Sequence, residues 1–420
     1  MLNTAGLSLE QAPPIGVPLR FFLTAPWFAA AAGLLLAWGG ADLLVTRWAP
    51  ATLAAVHLLG LGFLGLVIAG ATFQLLPVLV GAPVPAVGLV SRLVYGLFCA
   101  GTATLAAGFY VSSLPLQLAA LALLGPGVAV LVVATLLALK RAKGSPDTVQ
   151  AIGLSSLGLV IAAVLAATIL FAFDARVGLL SLPAWVDLHL SWALVGWAGV
   201  LLVAVGVHLV PLFHVTPSYP RWFRHWAPVA LFTLVLLATL AHALDDIVLR
   251  AVASGAAMLV LSAFAVLTLR FQSLRRRPVW DATLSFWWTG LGALLAASGA
   301  WLFGLPATVI GALALAGAAV AIPSGVLYKI VPFLAWFHLQ GALMASGRLD
   351  KTAPHMKSFV PDAAAHAHFA VYATGFGLLV AALLGLETAA HAAGLAYAVA
   401  SVMQGVTLLR GYRRYCAELG

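Results

Sequence analysis

Charge is what this 420-residue sequence has least of. Asp, Glu, Lys and Arg make up 8% of it, about a third of the roughly 25% carried by a soluble domain. Hydrophobic residues make up 63% and the mean hydropathy is +1.09. That balance excludes a soluble enzyme, a nucleic-acid binder and a disordered tail protein. Cysteine is also scarce. Cys99 lies in an apolar run and Cys416 near the end, so no disulfide framework, Cys-x-x-Cys motif or c-type haem attachment sequence is possible. No Walker motif, nucleophile elbow, zincin sequence or dinucleotide fingerprint occurs. The first apolar run is too long for a secretory signal and follows Pro-rich sequence, so no cleavable signal peptide is expected. The formal net charge is +9. Membrane proteins collect Lys and Arg in cytoplasmic loops, so the basic excess does not imply nucleic acid as a partner.

What remains is apolar runs of membrane-spanning length. They predict an all-α integral membrane protein with twelve spans, near residues 22–45, 52–80, 88–110, 115–139, 149–172, 183–214, 226–244, 247–269, 282–303, 307–336, 363–386 and 388–410. Residues 1–21 and 411–420 would be cytoplasmic tails around a single membrane domain, 22–410. With the N-terminus inside, the Lys and Arg clusters around 140–143, 221–224, 270–277, 348–357 and 410–414 all fall inside, along with Arg20, Arg92 and Lys329. Only Arg47, Arg176 and Arg250 fall outside. This positive-inside bias places both termini in the cytoplasm of a bacterial-type inner membrane. None of Asp42, Asp147, Asp174, Asp187, Asp245, Asp246, Asp281, Asp350, Asp362 or the three Glu falls mid-span, which argues against a deep carboxylate proton relay.

A repeat emerges every four helices. Phe73-Gln74-Leu75-Leu76-Pro77, Val207-His208-Leu209-Val210-Pro211 and Tyr328-Lys329-Ile330-Val331-Pro332 recur near the inner ends of the second, sixth and tenth spans. Gly62, Gly196 and Gly317 each precede their proline by fifteen residues. Either this is coincidence in a Gly- and Leu-rich chain, or three units (22–139, 149–269, 282–410) surround a pseudo-threefold axis. In the second case Gln74, His208 and Lys329 form one inner polar layer. Pro323 is expected to break the tenth span and free a carbonyl.

Eleven histidines are the side chains best suited to metal or haem at neutral pH. His57 is either a helix-end histidine bonded to a neighbouring carbonyl or an axial ligand. Gly62 and Gly65 would admit a flat macrocycle or another helix. His189 is either an interfacial cap or a second ligand, oriented by Asp187. His208 lies about 28 Å further along the same span; it is a ligand in the inner layer or an interfacial residue. His242 with Asp245 and Asp246 is a weak metal site or a polar turn. His366 and His368 read best as solvated loop histidines.

Twelve helices in fours, an inside N-terminus and an outer histidine on the second helix resemble subunit I of the heme-copper oxidases. Val56-His57 followed by Gly62-Phe63-Leu64-Gly65 is similar to that family's second helix, where the histidine binds low-spin haem. Asp187-Leu188-His189 followed by Gly196-Trp197 resembles a segment of the C-type oxidases that falls on their tenth helix. The likeness extends to the NnrS family, haem- and copper-containing membrane proteins linked to nitric oxide stress. The chain departs from the oxidases in having no bilayer histidine on its tenth span, no histidine pair on its seventh and no His-x-x-x-Tyr on its sixth. The binuclear oxygen-reducing centre does not carry over.

The resemblance implies a membrane haem protein with one b-type haem in the outer half, His57 and His189 as ligands and Asp187 behind them. Copper at His208 or His242 is a further expectation. Such a protein would act in electron transfer or in the response to nitric oxide or oxygen rather than pump protons. With no covalent haem, it would take electrons from quinol or a separate cytochrome. The competing reading is a transporter, or a factor handling copper or haem during oxidase assembly, without redox activity. A third is a scaffold that keeps the fold and has lost its cofactors.

Overall fold

The computed structural model describes residues 8–175, 181–346 and 353–419. Arg176, Arg348, Asp350 and Lys351 lie outside the described residues, as do residues 1–7 of the expected N-terminal tail and the side chain of Asp174. Every regular element among the described residues is helical. Lipid offers no partner for a bare N–H or C=O, and a helix satisfies its own backbone.

The long helices, in chain order, are α1 (Gly16–Gly39), α2 (Pro50–Val80), α3 (Val87–Tyr110), α4 (Leu114–Leu139), α5 (Pro146–Ala175), α6 (Leu182–His214), α7 (Arg221–Ala243), α8 (Ile247–Ser273), α9 (Ala282–Leu302), α10 (Ala307–Ala345), α11 (Asp362–Leu383) and α12 (Ala389–Leu419). Among the described residues all but α9 are long and apolar enough to cross a membrane, which makes eleven helices. The protein is therefore a multi-pass membrane protein. Helix α9 falls short in apolarity because Thr283, Ser285, Trp287, Trp288 and Ser298 dilute its aliphatic content.

Helix starts carry recognisable signals. Pro50 and Pro146 occupy first-turn positions, where a missing N–H costs nothing. Asp246 and Asp281 cap α8 and α9, accepting from Leu249 N at 2.9 Å and Leu284 N at 3.0 Å. Several boundaries differ from the sequence reading, and α10 runs on to Ala345 rather than ending near 336. Helix α1 starts at Gly16, where Arg20 Nε donates back to the Gly16 carbonyl, and it stops at Gly39 because Gly40 turns left-handed (φ +56°). The expected tail 411–420 is helical through Leu419. Tyr415 and Tyr412 hold that turn against Phe359 and Leu339, and Arg414 pairs with Glu418 one turn on.

Three helices are interrupted by π-helical turns: Leu58–Gly65 in α2, Ser191–Gly199 in α6 and Ala312–Ala319 in α10. Gly62, Gly196 and Gly317 each lie inside one. Pro323 does not break α10, which continues helically from Val320 to Ala345.

By packing, the chain divides into two compact units. Unit 1 comprises residues 1–13, 72–97 and 117–278; unit 2 comprises 14–71, 98–116 and 279–420. In unit 1, α5 packs on α6 and α7, and α7 on α8. A Cβ on Gly158 of α5 would come within 2.3 Å of the Gly196 carbonyl oxygen, so glycine permits the α5–α6 contact. In unit 2, α1 and α12 pack backbone to backbone. A Cβ on Gly394 would sit 2.1 Å from Ala37 N, the close approach that small residues give membrane helices.

Candidate functional site

His57 ends the first α-helical stretch of α2, directly before the π turn. Its Nδ1 lies 2.7 Å from the Leu53 carbonyl oxygen, and its ring stacks on Phe109 of α3 at 4.8 Å. An N–H at Nδ1 donating to a backbone carbonyl fixes the tautomer with Nε2 as the ligand atom, the arrangement metal-binding histidines use. One turn on, a Cβ at Gly60 would meet nothing within 4 Å. Gly62 is different: a Cβ there would run into Phe28 of α1 at 2.6 Å. Of the two uses foreseen for Gly62, the approach of another helix is the one seen. The open glycine is Gly60, on the His57 side of the turn.

His189 stands two residues before the π turn of α6, in unit 1. Its Nδ1 is 2.9 Å from the Ala162 carbonyl oxygen on α5. That carbonyl does the orienting expected of Asp187. Asp187 lies two residues back on the same helix, and such residues do not share a face. Downstream, Trp192 is buried and donates to Thr239 Oγ1 at 2.9 Å, and a Cβ on Gly196 would strike the Trp192 ring.

The residues expected in one inner layer each have their own setting. His208 Nε2 is 2.9 Å from Thr148 Oγ1 in unit 1. Lys329 makes a salt bridge to Asp281 in unit 2. Gln74 is buried, and its Oε1 has no partner among the described residues. His242 bonds back to the Ala238 carbonyl at 2.8 Å, while Asp246, four residues on, serves as a helix cap. Among the described residues no three His, Cys, Asp or Glu side chains converge as a metal site. Neither His208 nor His242 belongs to such a group.

One histidine overturns its expectation. His366 is exposed and bonds back to the Asp362 carbonyl, but His368 is buried at 2% exposure inside α11. Its Nδ1 lies 2.9 Å from the Tyr328 hydroxyl of α10, beside Phe286. Nearby, Tyr372 donates to the Ala316 and Gly317 carbonyl oxygens, both at 2.9 Å, and Tyr397 to that of Ala316 at 3.1 Å. These are carbonyls of the α10 π turn, and tyrosine hydroxyls meet them; they lie six and seven residues before Pro323, so they are not the carbonyl that its missing N–H would free. Outside the spans, Tyr219 donates to or accepts from Thr268 at 2.6 Å. Burial pushes its phenol pKa up, with the Thr268 hydrogen bond opposing.

No family model and no curated protein matches the chain.

Proposed function

We propose that this chain is an oxidase-like membrane haem protein, with twelve spans in three four-helix units, both termini in the cytoplasm of a bacterial-type inner membrane, and one b-type haem ligated by His57 in the outer half. The observation that carries the reading is local to α2. A histidine with Nδ1 bound to the Leu53 carbonyl sits at the mouth of a π turn, with open space over Gly60. π turns inside α-helices occur frequently at functional sites, and an imidazole held at Nδ1 presents Nε2. His189 has the same local features in unit 1 and is the second candidate ligand position. Bound haem would supply one-electron redox chemistry and a site for nitric oxide or oxygen. The chain's own part is to fix the imidazole and cover it with Phe109.

The threefold repeat draws support from the π turns. Counted along the sequence, Gly65 precedes Pro77 by twelve residues, Gly199 precedes Pro211 by twelve, and Ala319 precedes Pro332 by thirteen. The twelfth span is α9, whose 21 residues extend about 32 Å at 1.5 Å per residue, enough for a hydrocarbon core of about 30 Å. The test is the visible spectrum of detergent-purified protein expressed with ample haem, oxidised and then reduced with dithionite. The expected result is a Soret band that shifts on reduction. A flat spectrum overturns the reading and moves the weight to transport or to copper or haem handling.

A further inference from the structure

A recess opens at the end of unit 1 where α5 and α7 begin and α6 ends. It is lined by Ser145, Asp147, Thr148, Ala204, His208 and Arg224, among others; its closed part has room for about one water molecule, and its mouth is open to the outside. Three of its polar groups are engaged. His208 and Thr148 share a hydrogen bond, and Asp147 is turned onto His225, with 2.8 Å between Oδ1 and Nδ1. Arg224 is not satisfied in this way. Its Nε is buried and has no acceptor among the described residues. A buried guanidinium N–H without an acceptor carries its full desolvation cost, so the recess calls for an acceptor that the chain does not provide.

The chemistry of the lining narrows what that acceptor is. Arginine's planar fork suits the oxygens of phosphate. The first turn of α5, beginning at Pro146, turns backbone N–H groups and the positive end of the helix dipole toward the same end of the unit. Thr148 adds a hydroxyl. The carboxylate in the lining, Asp147, is bound to His225. The depth is also marked. Trp222 and Trp226, one helical turn apart on α7, are 64% and 59% exposed, and Arg224 lies midway between them on the opposite face. Exposed tryptophans sit at the level of the lipid headgroups, and basic pockets between helices at that level hold anionic headgroups.

We propose that this recess binds a phosphate group at headgroup depth, from an anionic phospholipid or from free phosphate, with Arg224 as its principal donor. The site is independent of the haem reading.

The test uses the full chain in detergent, delipidated and then exposed to phosphatidylglycerol, phosphatidylcholine or inorganic phosphate. Native mass spectrometry reads the lipid retained per chain, and thermal melting reads stabilisation. The expected result is selective retention of phosphatidylglycerol. Arg224→Gln should weaken it by about tenfold or more, the scale of a hydrogen bond to a charged group. Arg277→Gln, at an exposed position, should leave it unchanged. Stabilisation by inorganic phosphate alone, lost in Arg224→Gln, would support the same site with free phosphate as its ligand. Equal retention of the two lipids without any effect of phosphate would overturn the proposal, as would equal binding by wild type and Arg224→Gln. Either result would leave water as the occupant. If Arg224→Gln does not fold, Thr148→Val gives a second variant, and the comparison of lipids on the wild-type chain stands on its own.

Discussion

Helices α6 and α10 are widened by similar π turns and furnished differently. The turn Ser191–Gly199 in α6 has His189 two residues ahead of it; the turn Ala312–Ala319 in α10 has Ile310 and Gly311 there. The carbonyls of the α10 turn are met by the hydroxyls of Tyr372 and Tyr397. In α6 the Trp197 carbonyl accepts from Ser155 at 3.0 Å, across a contact that Gly158 makes possible. Helix α2 follows α6 in having a histidine, His57, ahead of its turn. The π turn is thus an architectural device in all three helices, and the histidine is an addition in two. A functional account should rest on the addition.

That comparison can be broken at its structural half first. Gly158→Val should have the largest effect, because its Cβ meets backbone, which cannot rotate away. A loss of about 3 kcal/mol, at the upper end of overpacking costs, should appear as a sharp fall in melting temperature. Gly62→Ala meets the Phe28 side chain instead and should cost less; equal losses would show that the two contacts are not of different kinds. Next, Tyr372→Phe removes the donor to two buried carbonyls, one of which keeps Tyr397. It should cost about 1–3 kcal/mol, read by melting or denaturant titration. Ser155→Ala uncovers one carbonyl and should cost about 1 kcal/mol; a larger loss than Tyr372→Phe would reverse the assignment of what supports each turn. Smallest of all, His242→Ala should leave any visible spectrum unchanged. Its ring bonds back to Ala238 as His57 does to Leu53, but no π turn follows it. A lost Soret band in that variant would show that the π turn does not mark the ligand.

The helical class and most helix limits could be read from the sequence because they follow from apolar length alone. The fifteen-residue spacing of Gly62, Gly196 and Gly317 from their prolines was also visible, and each glycine lies in a π turn. The turns themselves were not visible, since local hydropathy does not distinguish a π turn from an α turn. Nothing local pointed to Tyr372 or Tyr397, more than fifty residues away, as partners of the Ala316 and Gly317 carbonyls. His368 was misread for the same reason. Asp362, His366 and the residues around them look like a solvated helix start, and only the Tyr328 hydroxyl, forty residues back, explains a buried imidazole. The orienting partner of His189 is a backbone carbonyl on another helix, and side-chain identity carries no signal for that. In the sequence Arg224 is one of the inner-side cations and Thr148 carries no signal; folding sets both around one recess.

The most direct test of His57 as the proposed haem ligand is haem per chain in purified wild type, His57→Ala and His242→Ala, with and without added imidazole. The account predicts haem in wild type and in His242→Ala, loss in His57→Ala, and recovery of a Soret band when imidazole fills the space left at residue 57. Haem retained undiminished in His57→Ala, or absent from the wild-type protein, would contradict it.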